Sequence, residues 1–479
     1  MTVNFSRFFR VCNPSKTLNL GKAEDQQYYI DFSEVRGSNI IRELRRTITF
    51  SEDEPTCQLF TGHMGCGKST ELSRLKRELE EEGYHVVYFE SSNDLDLADV
   101  EISDILLTIA RQVIQSLEQA KIRLQPTRFQ SLVQGAAKLL NSEVTGLKVN
   151  VPELQAGGVG VRMADDIGIG IISNDDEYSL GFGIGEITTK AKNSKDIRSL
   201  LRQHLEPRVN NIVEAINTEL IEPAQKQLQK QGKAGLVVIV DNLDRIHNKP
   251  KSRERNQPEY LFVDQGEYLN QLKCHMVYTI PLILAFSNDQ ENLRNRFGSE
   301  HLLLPMVQVQ EKDGSPSDAG IALLRQMVLA RAFPHVEPEQ RLSLITKVFD
   351  SPQTLDRLCL VSGGHVRNLL VLLRNCLRKD EPPLSRNLVE SVISQRRNEL
   401  SRAITPDEWE LLRHVAENRT VRGEEEYQIL LKSLFVFEYC NDHGCWYNVN
   451  PVLADAKELK ETRLLAEVGN REQGTGNRE

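Results

Sequence analysis

One ten-residue stretch, TGHMGCGKST at positions 61–70, restricts the fold of this 479-residue chain more than any other. Residues 57–60 before it, CQLF, are an apolar run of strand length. The residues from Ser69 onward repeat with helical period, placing Leu72, Leu75 and Leu79 on one face and Gly83 just past the end. Strand, glycine-rich loop and helix is the order that a phosphate cradle requires. Gly62, Gly67, Lys68 and Ser69 satisfy the spacing G-x-x-x-x-G-K-[ST], and Gly65 adds backbone freedom. Glycines let successive N–H groups turn toward phosphate oxygens, and the helix N-terminus adds partial positive charge. Lys68 is placed to reach the β- and γ-phosphates and Ser69 to ligate Mg²⁺, with Thr70 completing the nucleotide set.

Such a loop needs a carboxylate that holds the metal, and the sequence supplies one in GLVVIVDNLDRI, residues 235–246. Leu236 to Val240 read as a buried strand, and Asp241 at its C-terminal end would face the nucleotide and share the metal with Ser69. Many ATPases built on this loop carry Glu directly after that Asp, to orient the attacking water. Here the position is Asn242, an amide that cannot act as a base. Asp244 is the nearest carboxylate in sequence that could substitute. Slow hydrolysis is therefore expected.

With these motifs in hand, the chain resembles the AAA+ ATPases and the related STAND signalling ATPases, nearest in pattern to the replication-initiator (origin-recognition) branch. The resemblance runs over about residues 30–455. Residues 31–48, DFSEVRGSNIIRELRRTI, look like the family's N-terminal segment, which implies that Arg36 and Gly37 lie near the adenine. IPLILAFSND, residues 280–289, is similar to the sensor-1 strand and implies Ser287 or Asn288 as the polar sensor. LRNRFGSEHLLLP looks like the arginine-finger segment, with Arg296 ahead of Arg294, acting on a neighbouring subunit's nucleotide. SGGHVRNLL resembles the sensor-2 start of the helical lid, with Arg367 directed toward the γ-phosphate.

The resemblance implies an α/β fold: a P-loop NTPase with an AAA+-like parallel sheet and flanking helices at residues 31–310, a lid at 317–385 and a winged-helix domain at 386–460. An N-terminal arm (1–30) and, by composition, a disordered tail (461–479) are expected at the two ends. Lys68 and Asp241 lie too far apart for a compact core, so something is inserted. A helix from Glu101 is clear. At about 145–192, glycines alternate with Val, Ile, Leu and Phe in period two, which predicts β-hairpins. A helical stretch follows over about 194–231, broken at Glu222-Pro223. The acidic loop with Asp94, Asp96 and Asp99 is read as capping and solvation, not metal. Residues 247–262 form a basic, unpatterned loop. Near the C-terminus, a helix start at Thr405 with Glu408, and alternation around a turn at 441–444, suggest helices followed by a wing. Cys440, His443 and Cys445 lack the fourth ligand of a zinc site.

Composition bounds the function. A formal charge of −9 argues against a surface made wholly for nucleic acid, and no apolar run approaches the ~20 residues of a bilayer span. The N-terminus lacks a secretory pattern, so a cytoplasmic address is expected, and most of the eight cysteines read as reduced, buried hydrophobes. Two readings stand. One is a switch operated by ATP or ADP with Mg²⁺, self-associating when ATP-bound and engaging a protein partner, in a setting such as bacterial regulation or defence that the resemblance implies. The other is a DNA-engaging ATPase of initiator or transposition type, which nucleic-acid binding would distinguish.

Overall fold

The computed structural model describes residues 3–51, 54–144, 180–423 and 425–460. Five parallel strands form its central sheet: β1 (Cys57–Gly62), β2 (His85–Glu90), β3 (Leu236–Asp241), β4 (His275–Thr279) and β5 (Leu302–Leu304). Their spatial order is β2-β3-β4-β1-β5, with every neighbouring pair parallel. β1 and β3 are buried along their whole length, as continuous apolar strands of a doubly covered parallel sheet must be. Leu236, Val238 and Val240 join one apolar layer, and Val237 and Ile239 the other. The period-two alternation thus divides one strand between two cores. This is a P-loop NTPase fold, and it carries the C-terminal ends of β1 and β3 to the same edge.

The second layer of helices is where reading and structure part. Helix Ile102–Gln119 packs beneath the sheet as expected, closed at its start by a capping box between Glu101 and Asp104. The predicted hairpins at 145–192 fall in two parts. Residues 145–179 lie outside the described residues, whereas Leu180–Asn193 is an α-helix and not a strand. Ile184, Ile187 and Ala191 explain why: spaced three and four apart, they bury on one helical face in the core under the sheet. The break expected at Pro223 is absent too. The chain makes a π-turn at Ile216–Ile221, and Pro223 sits in the first turn of the next helix, Glu222–Lys230, where its missing N–H leaves no intrahelical bond unmade.

On the other face, helices Asp318–Ala332, Pro352–Val361 and Val366–Lys379 share a core with helix Arg386–Ser401, through Leu369, Leu373, Val389 and Ile393. A separate small core, with Ile404, Trp409, Leu412 and Leu430, begins only after that helix. The capping box at Thr405 and Glu408 opens helix Pro406–Asn418 as read. Helix Glu425–Lys432 and the antiparallel hairpin β6 (Val436–Asn441) and β7 (Gly444–Val449) follow. Val436 and Val449 face the small core, while Phe437, Tyr439 and Trp446 face the core shared by the sheet and the helices of residues 318–401. Cys440 and Cys445, paired across the hairpin, form a disulfide; six other cysteines are free and buried.

The N-terminal arm is ordered where the sequence reads as weakly patterned. Its helix Phe5–Val11 packs on helix Asp318–Ala332, and Leu20 N–H donates to Ser73 Oγ at 2.8 Å. No helix among the described residues is long and apolar enough to cross a membrane.

Candidate nucleotide site

The loop between β1 and helix Lys68–Glu81 has the backbone that its glycines permit. Gly65 has φ +90° and Gly67, the N-cap of the helix, φ +116°, a region that side-chain-bearing residues rarely occupy. Lys68 turns back over the loop. Its Nζ donates to the carbonyls of Gly62 (2.8 Å) and His63 (3.0 Å) and pairs with Asp244 Oδ2 at 2.9 Å. Burial pulls the Lys68 pKa down, but Asp244 and Cys66 more than offset this and hold it above its usual value.

Asp241 lies where β3 ends. Its carboxylate accepts from Tyr88 Oη (2.8 Å), from Asn242 N–H (2.7 Å) and from the Ser69 hydroxyl. Burial, helped by the charge of Asp244, raises its pKa. Ser69 and Asp241, assigned to the metal from sequence alone, are thus in direct contact, and this hydroxyl–carboxylate pair fits a Mg²⁺ ion, which would supply charge neutralisation at the phosphates. Asp244, the substitute base of the sequence reading, is an ion-pair partner here. It is 9% exposed and neutralised by Lys68, with Oδ1 buried and without a hydrogen-bond partner.

A cleft opens over the loop. Gly65, Gly67, Lys68, Ser69, Thr70 and Arg367 line it. Arg367 is the second residue of helix Val366–Lys379, in the segment read from sequence as the lid; its N–H donates to Gly65 O at 3.2 Å, and its side chain lies against Gly65. Burial lowers its pKa, with the nearby Arg245 acting in the same sense. The loop residues assigned to phosphate from sequence and Arg367, read there as the sensor-2 arginine, therefore line one cleft.

Three other assignments do not reach the cleft in this way. Arg36 is buried and donates to Cys66 O at 2.7 Å, bracing the loop from behind instead of meeting a base. Asn288 is exposed and off the cleft, because residues 282–286 form a 3₁₀ turn; the sheet strand is β4, and the buried hydroxyl of Thr279 at its end is what meets the Leu243 N–H, at 3.0 Å. Arg296 pairs with Glu267 (3.2 Å) and Arg294 with Glu300 (3.3 Å), both away from the chain's own cleft. The acidic loop is accounted for by ion pairs: Asp94 with Arg111, Asp96 with Arg198, and Asp99 with Arg202 and Lys251.

Several wall residues carried no sequence signal. Leu18, Tyr28 and Tyr29 come from the arm, Leu370 from helix Val366–Lys379, and Arg245 from the turn after Asp241. The arm's aromatics were spaced too irregularly for a periodic pattern, and only the fold sets them beside the loop.

A connected set of contacts ties the loop to the lid and the C-terminal hairpin. The His365 ring N–H donates to Met64 O at 2.8 Å, and its other nitrogen accepts from Asn368 N–H. Phe437 stacks on His365 at 5.5 Å and meets His63 edge-on at 6.0 Å. Burial pushes His63 down to about 3 and His365 down to about 4, so both rings are neutral.

Residues 38–252 match the model of the KAP family P-loop domain. Solved structures with a similar course include that of the ORC2 protein of Aeropyrum pernix (ADPNP-ADP complexes), at 13% identity, covering 96% of this chain and 98% of that one, TM-score 0.38. The Walker-type ATPase of Pyrococcus abyssi is 13% identical, covering 91% and 99%, TM-score 0.34. No curated protein matches.

Proposed function

We propose that the chain binds ATP and ADP with Mg²⁺ in this cleft and hydrolyses ATP slowly, acting as a nucleotide-dependent switch. The observation that carries this reading is the contact chain from Met64 O through His365 to Phe437, which joins the phosphate loop to both the lid and the hairpin. Gly65 O and Met64 O are each held by the lid, so loop movement on phosphate binding changes the seating of the lid and, through Phe437, of the winged-helix-like unit. A ligand shifts such an equilibrium only by its differential affinity for the two states. Here the difference arises at Lys68, which must exchange Asp244 for phosphate oxygens.

Self-association in the ATP state, with Arg296 acting on a neighbouring copy's nucleotide, belongs to the same proposal. So does a protein partner for the helical insertion. In the basic segment 247–262, Lys251 is paired with Asp99 and Glu101 and Arg255 with Asp289, which favours the switch over the DNA-engaging reading. The test is amide exchange and mass measurement on the full chain with ADP, with ATP–Mg²⁺, and with either plus duplex DNA. Nucleotide-dependent protection changes at residues 363–370 and 436–441 support a switch. Binding without any change there refutes it, and DNA-dependent assembly would replace it with the DNA-engaging reading.

A further inference from the structure

Asn242 leaves the place after the β3 carboxylate without a base, and the structure supplies a carboxylate from the neighbouring strand. β2 and β3 run parallel in register, so that Glu90 stands opposite Asp241 at the strand ends. Tyr88 and Glu90 are two residues apart and share one face of β2. That face points at the site, because Tyr88 Oη reaches Asp241 Oδ2 at 2.8 Å. Glu90 Oε2 in turn accepts from the Asn242 side-chain amide at 3.0 Å. Asn242 is itself held by a second acceptor, Ser92 Oγ at 3.2 Å, on a left-handed backbone with φ +67°.

We infer that Glu90 is the water-activating base of this ATPase and that Asn242 is the residue positioning it. Asp241 is engaged by Ser69, Tyr88 and Asn242 as the candidate metal holder. Asp244 pairs with Lys68 in the nucleotide-free site, whereas Glu90 is held by Asn242, the residue in the base's usual place. Glu90 is half-buried, and among the described residues its Oε2 accepts from Asn242 while no ion pair engages the carboxylate. The inference rests on the proposal that ATP binds in the cleft. In the step itself, water gives a proton to the Glu90 carboxylate as its oxygen bonds to the γ-phosphorus. The bond from that phosphorus to the β,γ-bridging oxygen breaks, and ADP leaves with the electron pair. The proton on Glu90 then passes to solvent, and inorganic phosphate is released.

Glu90→Gln is the informative variant, because its amide oxygen still accepts from Asn242 and the fold is kept. With the full chain, ATP and Mg²⁺, single-turnover release of labelled phosphate should fall by about 100-fold or more, the usual range for loss of a general base. Affinity for a fluorescent ATP analogue should stay within about twofold, and the melting temperature should not move. The transposed pair Glu90→Asn/Asn242→Glu should regain turnover relative to Glu90→Asn alone, an outcome that a purely structural Glu90 does not produce. Wild-type turnover in Glu90→Gln overturns the inference, as does wild-type protein that holds ATP without hydrolysing it. Failure of wild-type protein to bind the analogue at all refutes the nucleotide reading itself, and the separate binding measurement tells the two apart.

Discussion

Replacing Lys68 by Met tests the centre of the site, because in this structure one ammonium carries two functions. Lys68 is 6% exposed and Asp244 9%, at 2.9 Å, with two loop carbonyls completing the ammonium's partners. At an effective dielectric of about 20, unit charges at that separation attract by roughly 6 kcal/mol, an upper bound before desolvation is counted. Removing one member of a buried pair costs about 3–5 kcal/mol, since the other charge is left buried and uncompensated. We therefore expect Lys68→Met to lower the free energy of urea unfolding by about 3 kcal/mol and to abolish or greatly weaken nucleotide binding. Lys68→Met/Asp244→Asn removes both charges and should recover stability to within about 1 kcal/mol of wild type, because neutral groups carry no such penalty. It should not recover binding. Asp244→Asn alone should bind ATP more tightly than wild type, since phosphate no longer competes with a carboxylate for Lys68. A double variant no more stable than Lys68→Met would show that the ion pair is not coupled as the distances indicate. Unchanged nucleotide affinity in Lys68→Met would overturn the assignment of the cleft.

Other outcomes follow from the loop, lid and hairpin. His365 is held down to about 4 by burial, against 6.5 in an unfolded chain, so the unfolded state binds the extra proton below pH 6.5 and stability falls as pH drops from there toward 4. His365→Asn should reduce the slope of unfolding free energy against pH in that window by about 1.4 kcal/mol per pH unit. Glu438, raised to about 7, and Asp104, raised to about 6, act in the opposite sense but are common to both proteins, so an unchanged slope would refute the buried, neutral ring. Gly364→Ala should destabilise the protein by more than the ~1–2 kcal/mol of a left-handed backbone, because φ is +69° and a Cβ would stand 1.7 Å from Val307 O; denaturant unfolding checks this. Cys440→Ser/Cys445→Ser should lower stability by up to about 2 kcal/mol, from the chain entropy of so short a loop, and the mutant should melt alike with and without reductant.

Much of the site was legible because its chemistry is local. The glycine spacing, Lys68 and Ser69 form one continuous turn, and a turn's conformation depends on the residues within it. Asp241 was legible for a related reason: an unbroken apolar strand can end at the sheet edge in only one way. The misreadings were all non-local. Residues 180–193 alternate small and apolar groups in a way that suits strand and helix alike, and burial of Ile184, Ile187 and Ala191 decided for helix. The sensor strand slipped because 280–286 are as apolar as β4, and only pairing with β1 and β3 selects residues 275–279 as the sheet strand.

The sequence by itself marked the glycine-rich loop with Lys68 and Ser69, Asp241 and Arg367 as candidates for one site, since each announces itself through residue type, spacing or resemblance, and the structure brings the loop against Arg367 and Asp241. Only the tertiary structure decided what surrounds them: that Arg36 braces the loop, that Asp244 is occupied by Lys68, that the N-terminal arm walls the cleft, and that Glu90 stands beside Asn242. These contacts join residues from 30 to more than 300 positions apart. Parallel strand register and layer packing bring them together, and neither is written in any short stretch of the chain.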